Sequence, residues 1–254
     1  MSKSTAARNR SYLGRRAVVA MAGAALAVGA TGVWASGTAS AAPAVTARPA
    51  TGSASQFGDC PPLPEGVDPA RWRCEVHTAA PELTMGKITV TLAPLTMTHA
   101  EGPMPDGSNG QVWGGMHSAP TTVPGGLTGT PAGDSVPALR LAIQLEYGGR
   151  SDFYTGQLSL RFRLLSPLLP QSCLIGGGRP VDFQAKRSGP SKWVSQNPPV
   201  IEFSAYDDTF AAPAPEHCGP LTRPLARRLG LPAATGNLLS YDASYTFKTY
   251  DQLP

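Results

Sequence analysis

Charge is scarce in this 254-residue chain, and its apparent basicity is confined to one end. Lys and Arg outnumber Asp and Glu by 21 to 17. Five of those cations (Lys3, Arg8, Arg10, Arg15 and Arg16) and none of the acids lie in residues 1–41. The remainder therefore carries 16 cations against 17 anions, a net charge of −1. With no basic run of five or more residues either, the electrostatic footprint of a nucleic-acid binder is missing. Catalytic signatures are absent too. There is no Gly-x-Ser-x-Gly elbow, no Ser-x-x-Lys beyond residue 41, and no Lys-Ser/Thr after the Gly-rich stretch at residues 176–178. Neither Cys-x-x-Cys nor His-Glu-x-x-His occurs, and His77, His99, His117 and His217 are scattered, so no metal or cofactor is expected. Past residue 41 no second apolar run reaches membrane length. No cysteine offers a lipid anchor near residue 41, and no sorting signal precedes Pro254.

The first 41 residues read as an export signal: a basic start, an Ala/Val/Gly run over residues 17–35, and Ala39-Ser40-Ala41 as the small residues a signal peptidase reads. Arg15-Arg16 resembles a twin-arginine pair, but the residues after it fit that pattern poorly. The general secretory route suits a chain that forms disulfides outside the cytoplasm. Residues 42–58 are Ala, Pro, Thr, Ser and Gly with almost no large apolar side chain, the composition of a disordered linker. Residues 59–254 remain as one secreted domain, long enough for its own core.

Cys60, Cys74, Cys173 and Cys218 all lie beyond the leader. Four cysteines admit three pairings. The short, proline-stiffened loop favours Cys60–Cys74, which leaves Cys173–Cys218; Cys60–Cys218 remains open. Asp68 and Pro69 are an N-cap and first helical residue, predicting a helical turn or two over residues 68–74.

From Lys87 the apolar period is two: Ile88, Val90, Leu92, then Leu95 and Met97 with shifted parity across Pro94, the mark of a broken or bulged strand. A turn centred on Asp106 returns the chain over residues 111–117. Residues 119–135, rich in Pro and Gly, read as a surface loop. Cleaner alternation marks strands over residues 139–147, 158–164 and 240–248, with weaker ones over 181–186 and 200–206. Residues 222–229, with Arg227 and Arg228 in the last turn and Gly230 behind them, predict one short helix. The fold expected is all-β: an antiparallel β-sandwich with one short helix and two disulfides.

The candidate site is built on the residue 95–117 hairpin. A turn symmetric about Asp106 sets His99 opposite Trp113 and Glu101 opposite Gln111, with His117 further along. His99 and Glu101 share the face of Leu95 and Met97. His99, Glu101, Trp113 and His117 are therefore the candidate ligand-binding residues, beside the plainer reading of a hydrogen-bonded pair that fixes register. Such a pair is expected to raise the His99 pKa through the Glu101 charge. Asp207-Asp208 and residues 106–110 are weaker cation candidates that read better as turns. Trp193, in a polar stretch, is the tryptophan expected to be exposed, and Trp72 the one expected to plug a core.

Cys60-Pro-Pro-Leu-Pro, Trp72-Arg-Cys74-Glu, Thr98-His-Ala-Glu101-Gly with Pro105-Asp-Gly107, and Gly230-Leu-Pro-Ala-Ala-Thr-Gly resemble stretches of uncharacterised secreted proteins of actinomycetes. That resemblance implies secretion and a Gram-positive origin and no activity. Together these readings predict a secreted or envelope-associated protein without enzymatic activity, binding an extracellular protein or glycan. The alternative is a secreted hydrolase using His99, Glu101 or the Asp207-Asp208 pair.

Overall fold

The computed structural model describes residues 54–254, so the expected leader and residues 42–53 of the expected linker lie outside it. Two antiparallel sheets make up the described chain. The strands in chain order are β1 (Arg73–Met85), β2 (Ile88–Thr91), β3 (Leu95–Pro103), β4 (Asn109–Ser118), β5 (Thr121–Thr122), β6 (Ala142–Asp152) and β7 (Gln157–Leu165). They continue with β8 (Leu174–Ile175), β9 (Val181–Gln184), β10 (Lys186–Arg187), β11 (Lys192–Gln196), β12 (Pro199–Asp207), β13 (Pro215–Glu216) and β14 (Leu238–Thr249). The larger sheet runs β10-β12-β14-β1-β3-β4, with β11 also on β12 and β2 also on β1. The smaller runs β13-β8-β7-β6-β5, with β9 also on β7.

The core lies between the sheets. Leu83, Met85, Leu95 and Met97 of the larger sheet meet Ile143, Leu145, Leu160, Phe162 and Leu164 of the smaller. Each set follows the alternation legible in the sequence, because side chains two apart on a strand share a face. Pro94 falls between β2 and β3, and the parity of the buried residues changes there: Ile88, Val90 and Leu92 before it, Leu95 and Met97 after. Helix α1 (Pro131–Ser135) is a single turn inside the expected 119–135 loop, which β5 also enters. Helix α2 (Thr222–Leu229) buries Leu225 and Leu229 against the core and ends at Gly230, whose φ of 68° is the left-handed cap that glycine adopts without strain.

The longest strand is one the sequence pattern concealed. The expected helix over residues 68–74 is only a 3-10 turn, Pro69–Arg71, capped by Asp68; the chain then enters β1, which lies between β14 and β3. Pro81 disguises that strand. In the structure its carbonyl accepts from Leu92 N in the break between β2 and β3, so its missing N–H falls where the ladder is already interrupted.

Both disulfides pair as expected, Cys60–Cys74 and Cys173–Cys218. The first pins a knot onto the outer face of β1. Cys74 and Val76 are buried there with Phe57, beside Tyr250 and Leu253. Ala54–Phe57, assigned above to the linker, is a 3-10 turn whose Phe57 lies in this cluster. Phe57 is the one large apolar residue of 42–58, and burying it extends the ordered domain toward the N-terminus. Trp72 is fully buried in the knot and donates from Nε1 to the Pro103 carbonyl at 2.9 Å. Trp193 is 55% exposed on β11.

Candidate functional site

The first residues of β1 are covered on the outer face by the knot, at Cys74 and Val76, and their inner face is buried as well; beyond them Thr78, Ala80 and Glu82 are exposed. Cys74, Glu75, Val76 and His77 are all buried, an unbroken run where alternation would be normal. Arg73, Glu75 and His77 share the inner face, and register sets Glu101 of β3 opposite Arg73, His99 opposite Glu75, and Met97 opposite His77. Glu75-Val-His77 and His99-Ala-Glu101 thus run antiparallel as a compact Glu/His block. On the flanks, Trp113 and Gln111 of β4 stand opposite His99 and Glu101, and Tyr245 of β14 stands opposite His77.

Arg73 organises the two carboxylates. Its Nε lies 2.6 Å from Glu75 Oε1 and donates to Glu101 Oε1 at 3.0 Å; Nη2 also bonds that Glu101 oxygen. The Oε2 atoms face the imidazoles. Glu75 Oε2 is 3.1 Å from His77 Nε2 and 3.8 Å from His99 Nε2, and Glu101 Oε2 is 3.4 Å from His99 Nε2. Gln111 ties the block to the β6–β7 hairpin, donating to Glu101 Oε2 at 3.2 Å and accepting from Phe153 N at 3.0 Å. Phe153 covers His99, and Tyr245 stacks on His77 with ring centroids 4.9 Å apart. His99 Nδ1 is buried without a hydrogen-bond partner.

Burial dominates the electrostatics. It pushes the His77 pKa down to about 3 and lowers that of His99, outweighing the Glu101 hydrogen bond. The expectation that Glu101 would raise the His99 pKa is therefore overturned: desolvation of a fully enclosed ring exceeds the attraction of one carboxylate. The two carboxyls separate. Burial and the neighbouring Glu101 charge raise Glu75 to about 7. Glu101 is desolvated too, but hydrogen bonds from His99 and Arg73 and the Arg73 charge bring it down to about 2. Glu75 and Glu101 cannot both ionise freely so close together.

A cavity of about 230 Å³ opens onto this block. Arg73, Glu75, His77 and Glu101 line it together with Phe153, Tyr154, Phe203, Tyr241 and Tyr245, and with Arg187, whose guanidinium lies 3.5 Å from the Phe203 ring centre. His99 faces a second hollow, beside Trp113, Tyr147 and Phe153.

Of the four residues singled out from sequence, the structure gathers three. His99 and Glu101 lie in the block, and Trp113 stands opposite His99, stacked on Tyr147 at 3.8 Å. His117 is elsewhere: it is exposed on the opposite face of β4 and paired with Asp59 at 2.6 Å. Residues 113 and 117 share a face in a regular strand, but a bulge lies between them. His99 pairs with Trp113 and Thr98 with Gly115, leaving Gly114 as an extra residue that reverses parity. Only glycine fits there, since a Cβ on Gly114 would lie 2.2 Å from the Asp59 carbonyl oxygen. The Gly114-Gly115 pair was the available signal. Arg73, Glu75 and His77 were missed because β1 was not recognised as a strand; Glu75-x-His77, mirroring His99-x-Glu101, was the pattern to notice.

The other candidates are structural. Asp207, buried at the end of β12, accepts from Gln184 N and from Thr209 N and Oγ1, closing a turn. Asp106 accepts from Ser108 N and Oγ in the β3–β4 turn. Among the described residues, no helix is long and apolar enough to cross a membrane. No family model matches the chain, and no curated protein or solved structure matches it either.

Proposed function

We propose that this is an exported, non-enzymatic binding protein whose pocket accepts a sugar unit of an extracellular or cell-envelope glycan. One observation carries the reading: aromatic rings and buried charged groups converge on a single open cavity at one end of the sandwich. Tyr154, Phe203 and Tyr245 offer flat faces to the C–H surface of a sugar ring. Arg73 and Glu101 offer charge-assisted hydrogen bonds to its hydroxyl groups. A mostly apolar concavity with a few convergent polar groups is the usual form of a small-ligand site. The two disulfides and the basic, then apolar, first 41 residues support export. The resemblance to secreted actinomycete proteins supports an envelope setting.

A glycan array followed by calorimetry on the purified protein tests the proposal. Binding of a saccharide that is lost in Tyr245→Ala and kept in His117→Ala supports it, because Tyr245 lines the cavity and His117 does not. Release of new reducing ends from the bound saccharide would replace this reading with the hydrolase one. Absence of binding to any glycan would end it.

A further inference from the structure

We propose that Glu75, His77 and His99, with Glu101 alongside His99, form a binding site for one divalent first-row transition-metal ion, with zinc the ion their donor atoms fit best. No established metal-binding motif marks this site in the sequence. It arises because an antiparallel register brings a Glu-x-His and a His-x-Glu together face to face.

Three geometric facts support it. Zinc ligands lie about 2.0–2.1 Å from the ion, so the corners of a tetrahedral site are about 3.3–3.4 Å apart. The separations here, 3.1 Å from His77 Nε2 to Glu75 Oε2, 3.4 Å from His99 Nε2 to Glu101 Oε2 and 3.8 Å from His99 Nε2 to Glu75 Oε2, straddle that value. Donor atoms of Glu75, His77 and His99 all fall within 4.8 Å of one another. Second, the carboxylates are presented as ligands are. Arg73 contacts Oε1 of both Glu75 and Glu101, which turns both Oε2 atoms toward the imidazoles. Groups behind the ligands commonly fix them this way. Third, all four residues are buried and lie on paired strands, a framework that holds donor positions better than loops do.

The donor set decides the metal class. Two imidazoles exclude calcium and magnesium, which take oxygen ligands. Imidazole with carboxylate suits zinc and its first-row neighbours. The cavity reaches Glu75, His77 and Glu101, which gives an ion a route in. The simpler role for the same residues is an internal ion-pair network that fixes strand register. That role predicts no ion uptake. The metal site does not rest on the glycan reading, because uptake is measured without saccharide; the two can fail separately.

The test is to strip the purified protein with chelator, titrate it with Zn²⁺ and with Co²⁺ near neutral pH, and follow stoichiometry by calorimetry and elemental analysis. One ion per chain is expected, with the visible cobalt absorption of a four-coordinate site and a melting temperature raised by zinc. Glu75→Gln, which keeps the side-chain volume, is expected to weaken zinc binding at least tenfold, and Arg73→Gln, a positioning change, by about 10–100-fold. In the unaltered protein, zinc is expected to shift the ring NMR signals of His77 and His99 and leave those of His117 and His217 in place. The histidine signals keep the test decisive if a variant fails to fold. No uptake by the folded protein overturns the proposal. So does uptake that Glu75→Gln leaves unchanged, or a zinc response confined to His117 or His217.

Discussion

His99 and Phe153 lie face to face, ring centroids 3.8 Å apart and planes within 4° of parallel. The contact joins strand β3 of one sheet to the end of β6–β7 in the other, and Gln111 fastens the same hairpin by accepting from Phe153 N. Phe153 is thus the lid over the Glu/His block. Replacing it with Ala should cost less than the roughly 3–5 kcal/mol of a fully buried Phe, because Phe153 is only half-buried. It should also admit water to His99. Chemical denaturation gives the first quantity. The rate at which His99 Cε1–H exchanges in deuterated water gives the second, and a rate equal to that of the parent protein would show that Phe153 is no lid.

Acid should destabilise the metal-free protein, and Glu75 should oppose that loss. Charged and titratable groups from several elements face the block: Arg73, Glu75 and His77 of β1, His99 and Glu101 of β3, Arg187 of β10 and Tyr245 of β14. Both imidazoles have lowered pKa values, that of His77 near 3, so as pH falls below 6.5 the unfolded chain takes up protons on both rings before the folded chain does. Glu75, raised to about 7, works the other way: the folded chain holds its proton between about pH 7 and 4.5, where the unfolded chain releases it. His77 and Glu75 offset each other over this range, and the lowered His99 tips the balance, so stability falls as pH drops below 6.5. Below 4.5 the loss steepens, because Glu101 stays ionised in the fold down to about 2. Urea midpoints measured in chelator should follow this course, and Glu75→Gln should fall more steeply between 6.5 and 4.5. A midpoint that rises on acidification would contradict the assignment.

Gly102→Ala should strike the knot and the site together. A Cβ at Gly102 would stand 2.6 Å from Trp72 Cδ1 and Cγ, and Trp72 has no room to move. Overpacking of this kind costs about 1–3 kcal/mol. Glu101 is the preceding residue, so the strain is delivered to the carboxylate that Arg73 holds. Gly189, where a Cβ would meet nothing within 4 Å, serves as the control and should tolerate Ala without measurable loss. Equal melting temperatures for the two variants would refute the role given to Trp72.

Loss of the Cys60–Cys74 bridge should loosen the outer face of β1 and leave the sandwich folded. The half-cystines are 14 residues apart, a loop whose closure contributes about 3 kcal/mol in the chain-entropy model. The core between the sheets draws on strands that the bridge does not touch. In a Cys60→Ala, Cys74→Ala variant, hydrogen exchange should quicken at Val76 and His77 while Leu145 and Phe162 stay protected. Uniform acceleration across both sheets would show that the bridge holds the whole fold.

Much of this architecture is written locally. Strands β6, β7, β12 and β14, the end of α2 at Gly230, the break at Pro94 and the pairing of His99 with Trp113 all follow from period-two alternation and turn chemistry acting within a few residues. The site was legible only by half. His99, Glu101 and Trp113 were visible because their hairpin is closed by a short turn that sets its own register. His117 was misplaced because parity along β4 depends on Gly114, whose bulge is set by the close approach of Asp59 from the knot.

The sequence by itself determined the antiparallel class, the cysteines available to pair and the polar composition of the site. Tertiary structure decided that β1 is a strand and that its N-terminal end is enclosed on both faces, with the knot on the outside. That enclosure turns Arg73, Glu75 and His77 from ordinary polar residues into the floor of a cavity, drives both imidazoles neutral and sets the two carboxyls apart. The physical reason is desolvation: a side chain's chemistry depends on how much water its surroundings remove, and those surroundings here come from segments far apart in the chain.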